Sequence, residues 1–371
     1  MGIFPHLKKM PILWRNNAGF MDAKFTPKTL LNRGAIPLKS IVLCCFFLFA
    51  GKLFSQDLHF SQFYNAPLNL NPGLTGVFSG DLRFGANYRE QWASVPVPYL
   101  TFSAAFDQKI YTPITPGGLL SWGMVFNYDR AGDGKLSWSQ IGGSASYIQQ
   151  VGAEQYLSAG FQLKTGQRAF DAALFTFDDQ FNGDVFDPGQ ATQESFSKTS
   201  AAYFDFAAGA NWFFKDEDSR TQLYAGIAAA HLSQPKVGFR NDEDVRLPML
   251  INAYASGVIQ TSPVVDLTFH AIHQIQEPYQ ETVAGIGGRY HLNVERGNEL
   301  ALGLAFSYRL DDAFITYLEA IYQNWQFGLS YDINTSPFKI ASQRRGGPEF
   351  SLRYVIFRVK PPDEFKICPI F

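Results

Sequence analysis

From Asp81 onward, the apolar residues of this chain recur at every second position. One such run places Leu300, Leu302, Leu304, Phe306 and Tyr308 in alternation with Ala301, Gly303, Ala305, Ser307 and Arg309. Successive side chains of a strand point to opposite faces of a sheet, so this pattern predicts strands with one apolar face and one small or polar face. A helix would show a period near 3.6 residues instead.

The composition of the alternating segments narrows the kind of β-protein. Their apolar face carries Leu, Phe, Tyr and Trp, whereas a soluble β-sandwich would be richer in Val and Ile. The chain of 371 residues is 16% aromatic and only 17% charged, against about a quarter charged in soluble domains. After Gly51 it has no apolar run of the roughly 20 residues that a membrane-spanning helix needs. These properties are typical of a transmembrane barrel, in which lipid-facing and lumen-facing residues alternate.

Fourteen segments follow the alternating pattern. Their predicted bounds are 82–92, 99–109, 119–130, 135–149, 156–165, 200–214, 221–231, 249–259, 264–276, 282–291, 299–310, 313–322, 324–334 and 349–358. Such lengths suit tilted strands, which need about 9–11 residues to cross a bilayer. An even number of strands closes without an unpaired edge in the lipid. We predict an all-β fold, a transmembrane antiparallel β-barrel of the outer membrane with about 14 strands, over residues 81–359.

The lengths of the connections predict a direction for the barrel. The three longest connections, 166–199, 232–248 and 335–348, follow the fifth, seventh and thirteenth strands. All three therefore fall at the same end. Outer-membrane barrels have long external loops and short periplasmic turns, so we expect these loops outside the cell.

The N-terminus has the features of a secretory signal peptide. Basic residues at Lys24, Lys28, Arg33 and Lys39 precede the apolar run 41–51, and Ser55 offers a small residue for cleavage. We predict a signal peptide over residues 1–55, with Met21 as a plausible true start.

Removing residues 1–56 takes away eight basic residues and one acidic residue and leaves 23 Lys+Arg against 32 Asp+Glu, a net charge near −9. This acidic balance argues against nucleic acid as a partner. Cys44 and Cys45 lie inside the signal, so Cys368 remains alone and an internal disulfide is not expected.

Two segments lie outside the predicted strands. Residues 56–80 are rich in Asn, Pro and Gly and do not fit a lipid-facing strand. We expect an N-terminal leader that plugs the lumen or makes a periplasmic contact, with a disordered leader as the alternative. The C-terminal tail 360–371 is interrupted by Pro361 and Pro362.

The acidic segment 170–198 is the strongest candidate for metal chemistry. It contains Asp171, Asp178, Asp179, Asn182, Asp184 and Asp187. Carboxylate and amide oxygens at close spacing are ligands for Ca²⁺, but the spacing is not that of an EF-hand. The pattern favours a solvated external loop, and calcium binding stays open.

Other polar residues do not form a recognisable catalytic site. His270 and His273 are three apart, which places them on opposite faces of a strand, and neither His59 nor His231 has a readable partner. The stretch 129–134 is typical of a hairpin connection, because Asp-Gly adopts positive φ angles. We find no Ser or Cys nucleophile set beside a base. The sequence thus predicts no catalytic residue, no cofactor site and no metal site.

The face opposite the apolar one carries charges of both signs. It includes Arg83, Arg89, Asp107, Asn127, Lys164, Asp205, Arg309, Asp332 and Arg353. A filled barrel and an open porin both have such side chains, and the lumen of fourteen strands is wide enough to conduct unless something fills it. An outer-membrane channel or hydrophobic-solute transporter is therefore an alternative function.

Several ordered motifs carry a family resemblance. They are His59-Phe60-Ser61-Gln62-Phe63-Tyr64, Ala66-Pro67, Leu70-Asn71-Pro72-Gly73-Leu74-Thr75-Gly76, Asn87-Tyr88-Arg89 with Gln91-Trp92, Tyr128-Asp129-Arg130-Ala131-Gly132-Asp133-Gly134, Phe177-Asp178-Asp179-Gln180-Phe181, His231-Leu232-Ser233-Gln234-Pro235 and Tyr331-Asp332-Ile333-Asn334-Thr335-Ser336. Over residues 57–371 the chain resembles the PorP/SprF family of the Bacteroidetes type IX secretion system. It departs from the family pattern at Asp178, where glycine is usual.

The resemblance implies a non-enzymatic outer-membrane component of a Gram-negative, Bacteroidetes-type bacterium. It would support export or surface anchoring of a large adhesin-type partner, gliding-motility adhesins included. The implied partners are the type IX machinery, that secreted protein and outer-membrane lipid. The candidate contact residues are Phe60, Ser61, Gln62, Phe63, Asn71, Pro72, Asp129, Arg130, Gly132, Asp133, Asp179, Gln180, Phe181, His231, Gln234 and Pro235.

Overall fold

A computed structural model describes most of the chain beyond residue 56. The described residues are 57–92, 98–110, 116–132, 134–181, 183–196, 198–239, 245–295, 297–337 and 339–358. The predicted signal peptide, the alternative start and the C-terminal tail lie outside them. Within the described residues, no helix has the length and apolar character needed to cross a bilayer.

Fourteen antiparallel strands form one closed barrel. They are β1 Leu82–Gln91, β2 Tyr99–Ile110, β3 Gly118–Ala131, β4 Leu136–Gly152, β5 Gln155–Ala169, β6 Ser200–Lys215, β7 Gln222–Ala230, β8 Leu250–Gln260, β9 Val265–Gln276, β10 Tyr279–Asn293, β11 Leu300–Arg309, β12 Ala313–Tyr322, β13 Trp325–Asn334 and β14 Arg345–Ile356. Each strand pairs with its sequence neighbours, and β1 closes the barrel on β14. The predicted fold class is confirmed.

The alternating pattern decides which side chains face the lumen. Along β13, the residues alternate between exposed and buried from Trp325 to Asn334. Phe327 and Leu329 are exposed on the outside, whereas Ser330 and Asp332 are buried inside. The barrel therefore presents its apolar side chains to lipid and keeps its polar side chains within, the reverse of a soluble protein.

The two ends of the barrel differ in the length of their connections. The three longest connections, 170–199, 231–249 and 335–344, all lie at one end. We name this the long-loop end and the opposite one the short-turn end. The predicted asymmetry is present, and the long loops of such barrels face the cell exterior.

Residues 57–80, here named the lumenal segment, run through the inside of the barrel. The segment holds two 3₁₀ helices, Phe63–Asn65 and Pro72–Leu74, and the short helix α1, Pro67–Leu70. It starts at the long-loop end, where the backbone N–H of Asp57 donates to the Gln276 side chain. It leaves at the short-turn end, where Lys109 near the end of β2 donates to the carbonyl of Phe78.

The connection between β7 and β8 folds back over the mouth of the barrel. Its residues Val237 and Leu247 are buried against the inward-facing Trp138 and Tyr203, and Leu58 of the lumenal segment packs beside them. Part of the long-loop end of the lumen, beside β4 and β6, is therefore covered by two pieces of chain that contact each other.

The barrel makes a direct prediction about its lipid-facing surface. Leu304 lies mid-strand in β11 and its side chain is 47% exposed toward lipid. We expect Leu304→Arg to lower the free energy of unfolding by about 2–4 kcal/mol, because a guanidinium in the hydrocarbon layer is costly. Urea unfolding in lipid vesicles measures the change.

The matched control is Ile340→Arg, in the connection 335–344, where the side chain is 84% exposed. Water surrounds this loop, so we expect a change within about 0.5 kcal/mol. Equal destabilisation by the two substitutions would contradict the placement of β11 in the bilayer.

Candidate functional site

The first motif of the lumenal segment is bound to the barrel wall by charged side chains. The hydroxyl of Ser61 lies 2.8 and 2.9 Å from the two carboxylate oxygens of Asp332 and accepts a hydrogen bond from Arg309 at 2.8 Å. The Glu349 carboxylate accepts the backbone N–H groups of Ser61, at 2.7 Å, and Gln62, at 3.0 Å. One serine thus joins β11, β13 and β14 to the segment.

The charges around this serine form a buried network. Arg89 lies 2.7 Å from Asp332 and 3.8 Å from Glu349, and Arg309 lies 3.0 Å from Asp332. Arg89 also donates to the backbone carbonyl of His59, at 2.5 Å. Buried charges are tolerated when they are paired and hydrogen-bonded. The network therefore ties the lumenal segment to the wall through groups that are costly to separate.

Two amides extend these contacts toward the middle of the lumen. The Gln62 side chain donates to the hydroxyl of Ser330 and to the carbonyl of Glu349, both at 2.9 Å. The Ser351 hydroxyl donates to Gln62 at 2.6 Å, and Asn65 donates to Ser351 at 2.9 Å. An amide has both donors and an acceptor, so it satisfies the mixed polar groups of adjacent strands.

Asn71 anchors the second motif to the opposite side of the barrel. Its side chain is fully buried, and it donates to the carbonyl of Ala210 at 2.9 Å and to the hydroxyl of Tyr254 at 3.1 Å. Its carbonyl oxygen accepts the N–H of Gly73 at 2.7 Å, which caps the following 3₁₀ helix. One residue thus shapes the segment and fastens it to β6 and β8.

Glycines of the wall let the lumenal segment come close at this level. A Cβ atom at Gly160 would lie 2.4 Å from the carbonyl oxygen of Pro72, and one at Gly209 would lie 2.1 Å from the Asn71 side-chain oxygen. Both distances are below van der Waals contact. The segment therefore packs directly on the backbone of β5 and β6.

His231, for which the sequence offered no partner, lies between two carboxylates. Its Nδ1 is 2.7 Å from Asp205, and its Nε2 is 2.7 Å from Asp57, the first described residue of the lumenal segment. The imidazole is fully buried, and its backbone φ of +58° lies in a region that residues other than glycine rarely adopt. The strained turn places the ring where it joins the segment, β6 and the β7–β8 connection.

The electrostatics of this contact, here named the histidine bridge, favour a charged imidazole. Burial lowers the pKa of His231, but the adjacent Asp57 and Asp205 raise it more, and its pKa lies above the ordinary value of 6.5. Burial raises the pKa of Asp57, but His231 outweighs it, and the pKa of Asp57 lies below its ordinary 3.8. Lys164, the other charged group that faces the ring, opposes its protonation.

A cavity of about 550 Å³, here named the outer vestibule, lies at the long-loop end above the lumenal segment. Carboxylates of Asp129, Glu281 and Asp312 line it, together with the rings of Trp138 and Tyr279. Arg168 and Arg309 line it as well, so the vestibule presents charges of both signs beside aromatic surface.

The motif in the connection 170–199 mainly shapes the loop. Asp179 accepts hydrogen bonds from the Thr192 hydroxyl and from the backbone N–H of Gln193. Gln180 accepts from the N–H of Phe177 at 2.9 Å and donates to the carbonyl of Gln190 at 2.9 Å. Among the described residues, no group of three or more His, Cys, Asp or Glu side chains is arranged to hold a metal ion.

The remaining predicted contact residues divide between the lumen and the long-loop end. Phe60, Phe63 and Pro72 are buried in the lumen, and Pro235 is buried in the β7–β8 connection. Arg130, Phe181 and Gln234 are exposed. Gly132 has a φ of +70° in the β3–β4 turn, and Asp133 lies outside the described residues. The structure therefore places the first motif against Asp332, joins His231 to Asp57 just before that motif, and leaves the exposed motif residues apart.

Two charged partners in these contacts carried no signal in the sequence. Asp57 precedes the first motif, and Glu349 lies at the start of the last predicted strand, where it is one acidic residue among many. Their partners are 174 and 288 residues away along the chain. Only the three-dimensional fold brings each of them to its partner.

A sequence model of the family described as "Type IX secretion system membrane protein PorP/SprF" matches residues 52–354. The chain belongs to this family. The residues of the PorP/SprF resemblance thus include those that fasten the lumenal segment to the wall. Family membership and the closed barrel make the chain an outer-membrane protein of the type IX secretion system.

Comparison with curated proteins finds no match. Among solved structures, the toluene transporter TbuX of Ralstonia pickettii is 11% identical with a TM-score of 0.45, over 79% of this chain and 94% of that chain. The toluene transporter TodX of Pseudomonas putida is 11% identical with a TM-score of 0.43, over 78% and 92%.

The buried network predicts a large effect of one carboxylate. Asp332→Ala leaves the guanidinium groups of Arg89 and Arg309 without their common partner. Removing one member of a buried ion pair costs about 3–5 kcal/mol, and we expect that loss in urea unfolding, with faster protease cleavage within residues 57–65. The control is Asp218→Ala in the exposed β6–β7 turn, and equal cleavage rates in both variants would refute the role of the network.

The histidine bridge predicts a pH dependence with a defined sign. A raised pKa at His231 gives stability that is complete below pH 6.5 and is lost as the pH rises through the raised value. A lowered pKa at Asp57 gives stability that is complete above pH 3.8 and is lost as the pH falls through the lowered value. We expect the bridge to be strongest between about pH 4 and 6.5.

Urea unfolding of the wild type and His231→Gln as a function of pH measures this effect. The difference in stability should be larger near pH 6 than near pH 9. Asp57→Asn should also destabilise the protein, and in its background His231→Gln should cost less than in the wild type. The double variant should therefore be little less stable than either single variant, because both substitutions act on one contact. A difference independent of pH would show that the imidazole is not charged in the bridge.

Proposed function

We propose that this protein supports the export or surface anchoring of a large adhesin-type partner of the type IX system, and that it does so by contact at its long-loop end. The partner class is the one that the PorP/SprF resemblance suggests, and membership in this family supports a role in the type IX system. The lumen of the barrel is occupied by the lumenal segment, and its external loops expose large apolar side chains. These two features favour contact at the long-loop end.

The lumenal segment is the single observation that carries the proposal. It contacts the inner wall from the histidine bridge at one end to Phe78 at the other, through the buried groups of Ser61, Gln62 and Asn71. A secreted chain cannot pass through a lumen filled in this way. We therefore propose that the segment acts as a plug and that the barrel holds the external loops in place for contact with the partner.

The connection 170–199 is the largest part of that surface. It exposes large apolar side chains at Leu174, Phe175, Phe181, Phe186 and Phe196, between the acidic residues noted in the sequence. Exposed apolar patches of this kind mark interaction sites. Phe181 and Phe186 pair in an isolated β-bridge, so part of the patch has a defined backbone shape that a partner recognises.

The alternative function, a channel or hydrophobic-solute transporter, needs a continuous path. The outer vestibule stops at the lumenal segment, which packs directly on the wall backbone at Gly160 and Gly209. We accordingly expect low conductance of the pure protein in planar bilayers. A high conductance of the wild type that Asp332→Ala leaves unchanged would favour the channel.

A display assay in the native bacterium tests the proposal. We expect a variant in which Phe175, Phe181 and Phe186 are all replaced by Ser to reach the outer membrane in normal amounts but to lose surface display of its adhesin-type partner severalfold. The loss follows from the removal of apolar contact area, which contributes about 25 cal/mol per Å². Antibody labelling of whole cells measures display.

The matched control replaces three lipid-facing residues near the long-loop end, Phe204, Phe306 and Phe314, with Leu, which keeps the barrel apolar. Display should stay at the wild-type level. Normal display of all type IX substrates in the loop variant, or in a strain that lacks the gene, would overturn the proposal.

A further inference from the structure

A second cavity lies at the short-turn end of the lumen, between the lumenal segment and the inner faces of β7 to β14. Its volume is about 360 Å³, inside the range of roughly 300–1,000 Å³ that small-molecule pockets occupy. Leu74 and Val77 of the lumenal segment line one side, and Tyr224, Tyr254 and Tyr317 of the wall line the other. Such a lining buries the apolar body of an organic ligand.

Four arginines also line this cavity. Three of them have carboxylate partners within ion-pair distance: Arg83 with Asp107 at 2.7 Å, Arg220 with Asp266 at 2.8 Å, and Arg289 with Glu319 at 3.0 Å. The fourth, Arg353 on β14, has neither a hydrogen bond nor an ion pair with any described residue. The lining therefore retains one positive charge after its pairs are counted.

The surroundings of Arg353 leave space around the guanidinium. Its cross-strand neighbour on β1 is Gly85, where an added Cβ would meet no atom within 4 Å, and this space belongs to a smaller pocket that Arg353 also lines. The charged groups that face it are Arg83 and Arg289, which repel it, and Glu319, which is already bound to Arg289. Arg353 is thus held in the cavity without a partner.

An unpaired charge withdrawn from bulk water is costly unless a counter-charge enters. The planar fork of a guanidinium matches a carboxylate in two parallel hydrogen bonds. One residual charge calls for a monoanion, and the tyrosine-lined wall calls for an apolar body. We propose that this cavity binds an organic monocarboxylate, with Arg353 as the residue that anchors the carboxylate.

Two sources share this chemistry. One is a free acid with an apolar tail, and the other is the C-terminal carboxylate of a polypeptide on the periplasmic side, which the short-turn end faces. Arg220, in the β6–β7 turn at the short-turn end, lines the cavity, and its side chain is partly exposed. The site is separate from the external surface of the proposed function, so either idea stands if the other fails.

Calorimetry on the full chain in uncharged detergent tests the proposal. The probes are 4-phenylbutyrate, the peptide acetyl-Ala-Ala-Phe with a free carboxylate, the neutral amides of both, and inorganic phosphate. We expect at least one of the two carboxylates to bind and its amide to bind about tenfold more weakly or worse, because hydrogen bonds between charged groups contribute strongly. The carboxylate that binds more tightly identifies the source.

Arg353→Gln should weaken carboxylate binding by about tenfold or more, whereas Arg353→Lys, which keeps the charge but loses the fork, should retain part of it. Arg168→Gln at the outer vestibule is the matched control and should change nothing. Because Arg353 has no partner to lose, Arg353→Gln should unfold at no lower temperature than the wild type without ligand.

Three outcomes would overturn the proposal. The first is equal binding of a carboxylate and its amide, and the second is binding that Arg353→Gln leaves unchanged. The third is binding of phosphate alone, or of none of the probes. An unfolded Arg353→Gln variant would contradict the unpaired state of the arginine, and Arg353→Lys then tests ligand binding in its place.

Discussion

The polar groups inside the barrel have to be satisfied by other parts of the same chain, and this requirement shapes the rest of the structure. Strict alternation gives the lipid an apolar surface and leaves the lumen with charges such as Arg89, Arg309 and Asp332. Lumenal charges that are withdrawn from water without a partner would be costly. The lumenal segment supplies the matching hydroxyl, amide and backbone groups, so the wall and the segment together form a polar core in place of an apolar one.

The sequence predicted this fold because period-two alternation is a local signal that each strand carries by itself. All fourteen strands, their order and the end that carries the long connections could be read from it. It also predicted that Arg89, Arg309 and Asp332 face the lumen, since the face of a residue follows from its position in a strand. What it could not predict is which of these groups meet. Ser61 and Asp332 are 271 residues apart, and their contact depends on the closure of β1 on β14, which no local pattern encodes.

The partners of the histidine bridge could not be predicted from the sequence either. The motif around His231 drew attention to the residue, but its partners Asp57 and Asp205 lie on two other parts of the chain. The strained backbone at His231 exists because three elements fix its position at once. Conversely, Asp179 and Gln180 belong to a motif that looked like a contact site, and their side chains are occupied in holding the shape of their own loop. A motif residue can thus serve the architecture, while exposed neighbours such as Phe181 provide the surface.

The path of the lumenal segment has a consequence for how the protein is assembled. The segment enters at the long-loop end and reaches β1 at the short-turn end, so it spans the lumen that β1 and β14 close. If the wall closed first, Asp57 would have to travel the full depth of the lumen, past glycine-lined contacts narrower than a methyl group at Gly160 and Gly209. Meanwhile the wall would hold its charges unpaired. Insertion into the membrane and docking of the segment are therefore coupled, because β1 and β14 close around a segment that already lies in the lumen.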